Sequence, residues 1–294
     1  SALEYKASVV NTDLFPDYTW QVNGINDKGQ VYGVPNSPRG DRKSFYTSDS
    51  KGTISTLIEN THSNIHFSKV LVNNSGQTFG EWHNTTQTPL FLWSKSLGFH
   101  PIYMNEAIQA QITSLNDLGQ IIGWYSFHGQ NGSFINSAFL WDTGDLTDMG
   151  VSSEFAKHLE STGYHVMYAQ LLDINNRGEI VGYLISGKYN KNKKEFVSAE
   201  KKVFFWNGLP HIIPLEKHLY DVSNARINNK GEILITANYD HFSYDGTFSV
   251  SYLWSLEDGL QPLVDFIGKK KHDSSVVLGY RNESCEDSCD LKCH

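Results

Sequence analysis

Among the acidic side chains, Asp173 and Glu81 are the two that fall beside apolar, strand-like segments, whereas the others sit in stretches rich in turn residues. Two or three carboxylates gathered about one axis are the equipment of a glycoside hydrolase: one acid protonates the leaving oxygen while another attacks or activates water. Two separated candidates do not make that constellation, so catalysis by Asp173 and Glu81 is an alternative reading and no catalytic residue is assigned. The sequence carries no nucleophile elbow, zinc-protease helix or phosphate loop. All three cysteines fall near the end, Cys285, Cys289 and Cys293, with His294 beside the last. Steps of four put them on one face of a helix, and thiolates with an imidazole suit a soft metal, yet the usual Cys-x-x-Cys pair is missing. In an exported chain an odd count fits one local disulfide plus a thiol for an intermolecular link. A disulfide or dimer link is the first reading, metal binding the second and neither the third, and no cofactor is expected.

A larger set is aromatic and imidazole: Trp82, His83, Trp124, Tyr125, His128, Tyr183, Tyr189, Tyr239 and His241. Such side chains combine broad contact area with a polar tip, the composition of a binding surface. Taken singly, each also has a plainer role, capping the edge of a sheet. Gln21, Ser68, Gln111, Gln170 and Ser223 form a second set, each five residues ahead of a recurring asparagine.

The elements that position these residues recur along the chain. Five segments share an Asn-x-x-Gly or closely related turn between apolar stretches: residues 24–33 (GINDKGQVYG), 71–80 (LVNNSGQTFG), 114–123 (SLNDLGQIIG), 173–182 (DINNRGEIVG) and 226–235 (RINNKGEILI). Each is followed by a second signature, SFYT at 44–47, LFLWS at 90–94, AFLWD at 138–142, VFFWN at 203–207 and YLWS at 252–255. The turn asparagines Asn26, Asn73, Asn116, Asn175 and Asn228 are spaced by 47, 43, 59 and 53 residues. A period of about 40–50 residues built from several short strands predicts a β-propeller. An asparagine opening the turn and a glycine at its positive-φ position make a tight hairpin connection, so these turns are read as scaffold; calcium binding at Asp27 or Asp117 would need more oxygen ligands than they offer. Four strands per repeat, labelled A to D, give an all-β, five-bladed propeller over residues 1–270. Residues 271–294 then supply a closing strand and the cysteine tail, with 3–10 (LEYKASVV) and 275–278 as rival closing strands.

The third copy, 115–123 with AFLWDTGDLTDMG at 138–150, resembles the bacterial "extracellular repeat, HAF family", whose units pair an INxxGQxxG turn with an AFLW strand and a TDLG segment. The resemblance spans about residues 20 to 265 and implies an exported bacterial repeat protein of no assigned chemistry, secreted or periplasmic. Two positions depart from the pattern: the first copy has Tyr46 where the others have tryptophan, and the fifth has Ile235 where the others have glycine.

Composition agrees with that expectation. With 294 residues, 39% of them hydrophobic and 13% aromatic, the chain can bury a sizeable core. A formal net charge of −8 argues against binding phosphate backbones, so no nucleic acid is expected as partner. No apolar run reaches the roughly 20 residues that cross a bilayer, so no membrane insertion is expected. The beginning, Ser1 to Tyr5 (SALEY), lacks a basic and then apolar leader, as in a mature exported chain or a cytosolic one.

The copies differ mainly in their B–C and D–A links, which lie on one face of a propeller: 125–137, 184–202, 237–248 and 150–169, the last with room for a short helix at 154–160. Rigid scaffolds carry function on such loops. The aromatic set falls on the same face, and Gln21, Gln111 and Gln170 would line the channel mouth there. Asp173 and Arg226 are placed to pair across the channel. Six lysines between 188 and 202 make either a solvated hairpin or a patch for an anionic ligand. The expected function is a non-enzymatic binding or adhesion module for a glycan or host-surface protein, with a glycosidase-like enzyme or a protein-docking scaffold as alternatives.

Overall fold

The turn asparagine explains why the repeats fold as they do. In the third copy its side-chain Oδ1 accepts the backbone N–H groups of Leu118 and Gln120, at 3.1 and 3.0 Å, while Gly119 N–H returns to the Asn116 carbonyl at 3.2 Å. The other four turns repeat this pattern, and the five glycines have φ between +72° and +85°. A side chain that satisfies two backbone donors locally, followed by a residue free to adopt positive φ, fixes a tight reversal. The amide Nδ2 then donates to the glutamine or glutamate that follows the glycine, Gln30, Gln77, Gln120, Glu179 or Glu232.

The computed structural model describes residues 19–36, 44–48, 54–59, 66–83, 90–104, 107–129, 132–150, 153–161, 165–190, 195–215, 219–240 and 247–263. The first blade holds β1 (Thr19–Ile25), β2 (Val31–Asn36), β3 (Ser44–Ser48) and β4 (Ile54–Glu59), and the second β5 (His66–Val72), β6 (Thr78–His83), β7 (Leu90–Ser94) and β8 (Gly98–Ile102). The third holds β9 (Gln109–Leu115), β10 (Ile121–His128), β11 (Phe134–Asp142) and β12 (Asp145–Asp148). After helix α1 (Glu154–Ser161) come β13 (Val166–Ile174), β14 (Ile180–Asn190), β15 (Glu195–Trp206) and β16 (Pro210–Ile213). The fifth blade is β17 (Leu219–Ile227), β18 (Ile233–Asp240), β19 (Thr247–Ser255) and β20 (Gly259–Pro262). Each sheet is an antiparallel meander in sequence order, and the first strands contact one another from blade to blade around the axis. The architecture is a five-bladed β-propeller. The two rival closing strands and the cysteine tail lie outside the described residues.

The cores lie between blades. Phe45, Phe67 and Phe91 bury between the first and second, Phe79 and Phe139 between the second and third, Phe204 and Phe155 between the third and fourth, and Phe205 with Trp254 between the fourth and fifth. Burying each ring contributes about 1.5–3 kcal/mol. Three of the four repeated tryptophans sit less deep than the phenylalanine two residues before: Phe91, Phe139 and Phe204 are fully buried, whereas Trp93, Trp141 and Trp206 are half-buried; Trp254 is buried. Trp141 still crosses a junction, meeting Phe79 of the preceding blade edge-on at 5.8 Å. Opposite these phenylalanines stand Gly80, Gly123 and Gly182. A Cβ at Gly123 would lie 2.0 Å from the Gln111 carbonyl and 2.8 Å from the Phe139 ring. The fifth blade resolves its departure from the pattern by pairing Ile235 with Tyr252.

Helix α1 fills the long link between the third and fourth blades. Ser153 caps it, accepting Ala156 N–H at 3.2 Å, and Phe155, Ala156 and Leu159 face the core.

Candidate functional site

Two places converge on the axis, one at each end of the channel. On the loop-bearing side, cross-strand pairing sets Trp124 opposite Gln111 and Tyr183 opposite Gln170. Trp124 Nε1 donates to Gln111 Oε1 at 2.8 Å, and the Tyr183 hydroxyl donates to Gln170 Oε1, which also receives the Tyr168 hydroxyl at 3.4 Å. Each carboxamide thus spends its oxygen on an aromatic neighbour, which orients its NH2 as a donor. Lys201 lies 3.9 Å over the Tyr183 ring and is held by Asp221 Oδ1 at 2.6 Å and the Val222 carbonyl at 3.0 Å. Burial, with Asp221 adding to it, pushes the Tyr183 hydroxyl above its ordinary value, so it stays a donor at neutral pH.

The five polar positions counted from the sequence are not equivalent in register. The innermost strand of every blade carries a bulge, but it falls three residues before the turn asparagine in the first, third and fourth blades and five before it in the second and fifth. Ser68 and Ser223 are therefore the unpaired bulge residues. Lys69 opposite Glu81 and Asn224 opposite Thr236 take the slots held elsewhere by the glutamines. Gln21 pairs through its backbone with Val34; its side chain lies outside the description.

The other expected residues scatter. Trp82 packs against the core of the first two blades, edge-on to Phe99 at 5.3 Å, with its Nε1 buried and without a hydrogen-bond partner among the described residues. Tyr125 is half-buried in the next core, stacked on Phe127 at 5.7 Å. His128 is exposed on a pair with Phe134, whose ring is 67% exposed. His83, Tyr189 and Tyr239 pair through their backbones with His66, Phe196 and Leu219, while His241 and Cys285, Cys289, Cys293 and His294 lie outside the described residues. Tyr168 and Lys69 are not among the residues singled out from the sequence, and Lys201 stands there only as one of six lysines. Tyr168 alternates with Gln170 along β13, a signal that was available; Lys201 was hidden among six lysines.

The two carboxylates of the enzymatic alternative serve the backbone. Glu81 is buried and accepts the Ile112 N–H at 2.9 Å, while Lys69 donates to the Ile112 carbonyl at 2.6 Å. Asp173 accepts Ser114 Oγ at 2.7 Å from the blade before and Ile227 N–H at 3.0 Å from the blade after. Both thus stitch the innermost strands, and Arg226 stands 3.7 Å from Asp173.

On the opposite side the tight turns surround a cavity of about 640 Å³. Its rim is a double relay. The amides of Asn26, Asn73, Asn116 and Asn175 each donate to the carbonyl of the next blade's asparagine, at 3.5, 3.1, 2.9 and 2.9 Å. One residue on, Asp27, Asn74, Asp117 and Asn176 each donate their backbone N–H to the side-chain oxygen of the next blade's counterpart, at 2.8 to 2.9 Å. Burial acts to raise the Asp117 carboxyl, but the Asn74 and Asn176 hydrogen bonds, with help from Lys28, outweigh it and hold the group below its ordinary value.

No protein-family model matches the chain, and no curated protein matches it. Among solved structures it is similar to the β-propeller domain of the Trilobed protease from Pyrococcus furiosus, at 11% identity over 82% of this chain and 68% of that one, with a TM-score of 0.52. A putative TolB from Agrobacterium tumefaciens also matches, at 11% identity over 84% of this chain and 80% of that one, with a TM-score of 0.44. Likeness at this identity concerns the fold alone. Among the described residues no helix is long and apolar enough to cross a membrane.

Proposed function

We propose that this protein is a non-enzymatic, exported binding module that recognises a glycan through the loop-bearing face of its propeller. The observation that supports it is the pair of aromatic–carboxamide units Trp124–Gln111 and Tyr183–Gln170 on adjacent blades. A sugar offers apolar C–H faces and a fringe of hydroxyls. Aromatic rings cover the first, and carboxamide NH2 groups, with their oxygens already engaged, donate to the second. His128 with Phe134 extends the same surface outward. The HAF-like repeats are the basis for the exported part of the proposal.

The test is a glycan array run with the wild type and with the Trp124→Ala/Tyr183→Ala variant. Specific binding by the wild type that the variant loses is the expected result. No glycan bound by the wild type, together with capture by a cell-surface protein, would move the face to protein recognition.

A further inference from the structure

The turn-side cavity contains a guanidinium, Arg226, whose N–H donors no described residue hydrogen-bonds. Asp173, the carboxylate nearest Arg226, has both oxygens committed: Oδ1 to Ser114 Oγ at 2.7 Å and Oδ2 to Ile227 N–H at 3.0 Å. The guanidinium stands 3.7 Å from Oδ1, near enough for attraction but beyond hydrogen-bond length, and the Arg226 side chain is 60% exposed. Among the described residues its planar fork of donors is therefore not engaged. Lys69 lines the same cavity from the second blade, which does not adjoin the fifth, so the two cations meet only across the axis. Burial foremost, with Glu81 opposing it and Arg226 adding to it, draws the Lys69 ammonium below its ordinary pKa.

We propose that the axial cavity on the turn side binds a small molecule that carries an oxyanion, with the oxyanion on Arg226 facing Lys69. A guanidinium recognises carboxylate or phosphate through two parallel N–H donors. An oxyanion between the two cations is attracted by both. A volume of about 640 Å³ lies within the range of small-molecule sites. Asp27 and Asp117 stand at the rim, but their oxygens accept the amide hydrogens of Asn74 and Asn176, so they belong to the relay that shapes the mouth. This site lies at the other end of the channel from the proposed glycan surface and stands independently of it.

Isothermal titration of the full chain at fixed ionic strength with glucuronate, glucose 6-phosphate and glucose tests this, with Arg226→Gln as the variant. The expected result is heat from one or both anionic ligands, none from glucose, and at least tenfold weaker binding in Arg226→Gln at an unchanged melting temperature. A preference for glucuronate or for glucose 6-phosphate identifies a carboxylate or a phosphate as the oxyanion. The proposal is overturned if neither anion binds, if glucose binds equally well, or if Arg226→Gln binds as the wild type does.

Discussion

At the scale of single residues, the turn side owes its order to side chains that answer backbone groups. Asp117 accepts from Asn74 and Asn176 and gives its own N–H to Asn176, so one residue ties three blades. Its folded carboxyl sits below the ordinary value of 3.8. A depressed pKa means that the ionised form favours folding, so this stability is present above about pH 4 and is lost as pH falls through the folded value. Thermal scans between pH 2.5 and 6, in roughly half-unit steps, should therefore show wild type losing melting temperature more steeply than Asp117→Asn on the acid side. Parallel curves would remove Asp117 from the acid response. Gly178, at φ +76°, offers a second test: a Cβ there would also stand 3.1 Å from Gln120 Oε1. Gly178→Val should cost about 1–2 kcal/mol and lower the melting temperature by a few degrees; an unchanged melting temperature would contradict the role assigned to the turn.

At the scale of elements, the two aromatic residues that follow the second-strand glycines at adjacent blades have opposite fates. Trp82 lies two residues past Gly80 and points into a core, whereas Trp124 lies one residue past Gly123 and pairs with an exposed glutamine. Trp82→Ala should thus destabilise the fold by about 2–4 kcal/mol, while Trp124→Ala should leave the melting temperature within about 2 °C of wild type; denaturant titration of both variants decides it. This difference of one residue sets the two rings on opposite faces of their strands. The strand order, the turns, the faces and helix α1 follow from periodicity and turn chemistry, because local residue types determine them. The placement of Trp82 needs only the alternation along β6, whereas the slots of Lys69 and Asn224, and the residue that Glu81 meets across the strands, depend on where each bulge falls. A one-residue shift inverts which side a residue faces, and nothing in residues 66–72 distinguishes a bulge at Ser68 from one at Val70. The cross-blade relay was likewise written in the Asn-Asp and Asn-Asn pairs, but a turn explains those residues locally, and the reach to the next blade emerges only once the ring is assembled.

At the scale of the molecule, repetition and variation are divided between the two ends of one channel. The turn side is a nearly uniform rim around a polar cavity, and the loop side carries the residues that differ from blade to blade. Because each blade buries its faces only against its neighbours, the loops can vary without disturbing the relay that holds the blades in register. The central claim is that recognition of a glycan belongs to the loop side, and the most direct measurement is the affinity of the full chain for a bound glycan, compared among wild type, Trp124→Ala/Tyr183→Ala and Arg226→Gln. Each ring should contribute about 1–3 kcal/mol, so the double variant should lose at least tenfold in affinity while Arg226→Gln keeps the wild-type value. Unchanged affinity in the double variant, with loss in Arg226→Gln, would place recognition at the opposite end of the channel and contradict the account.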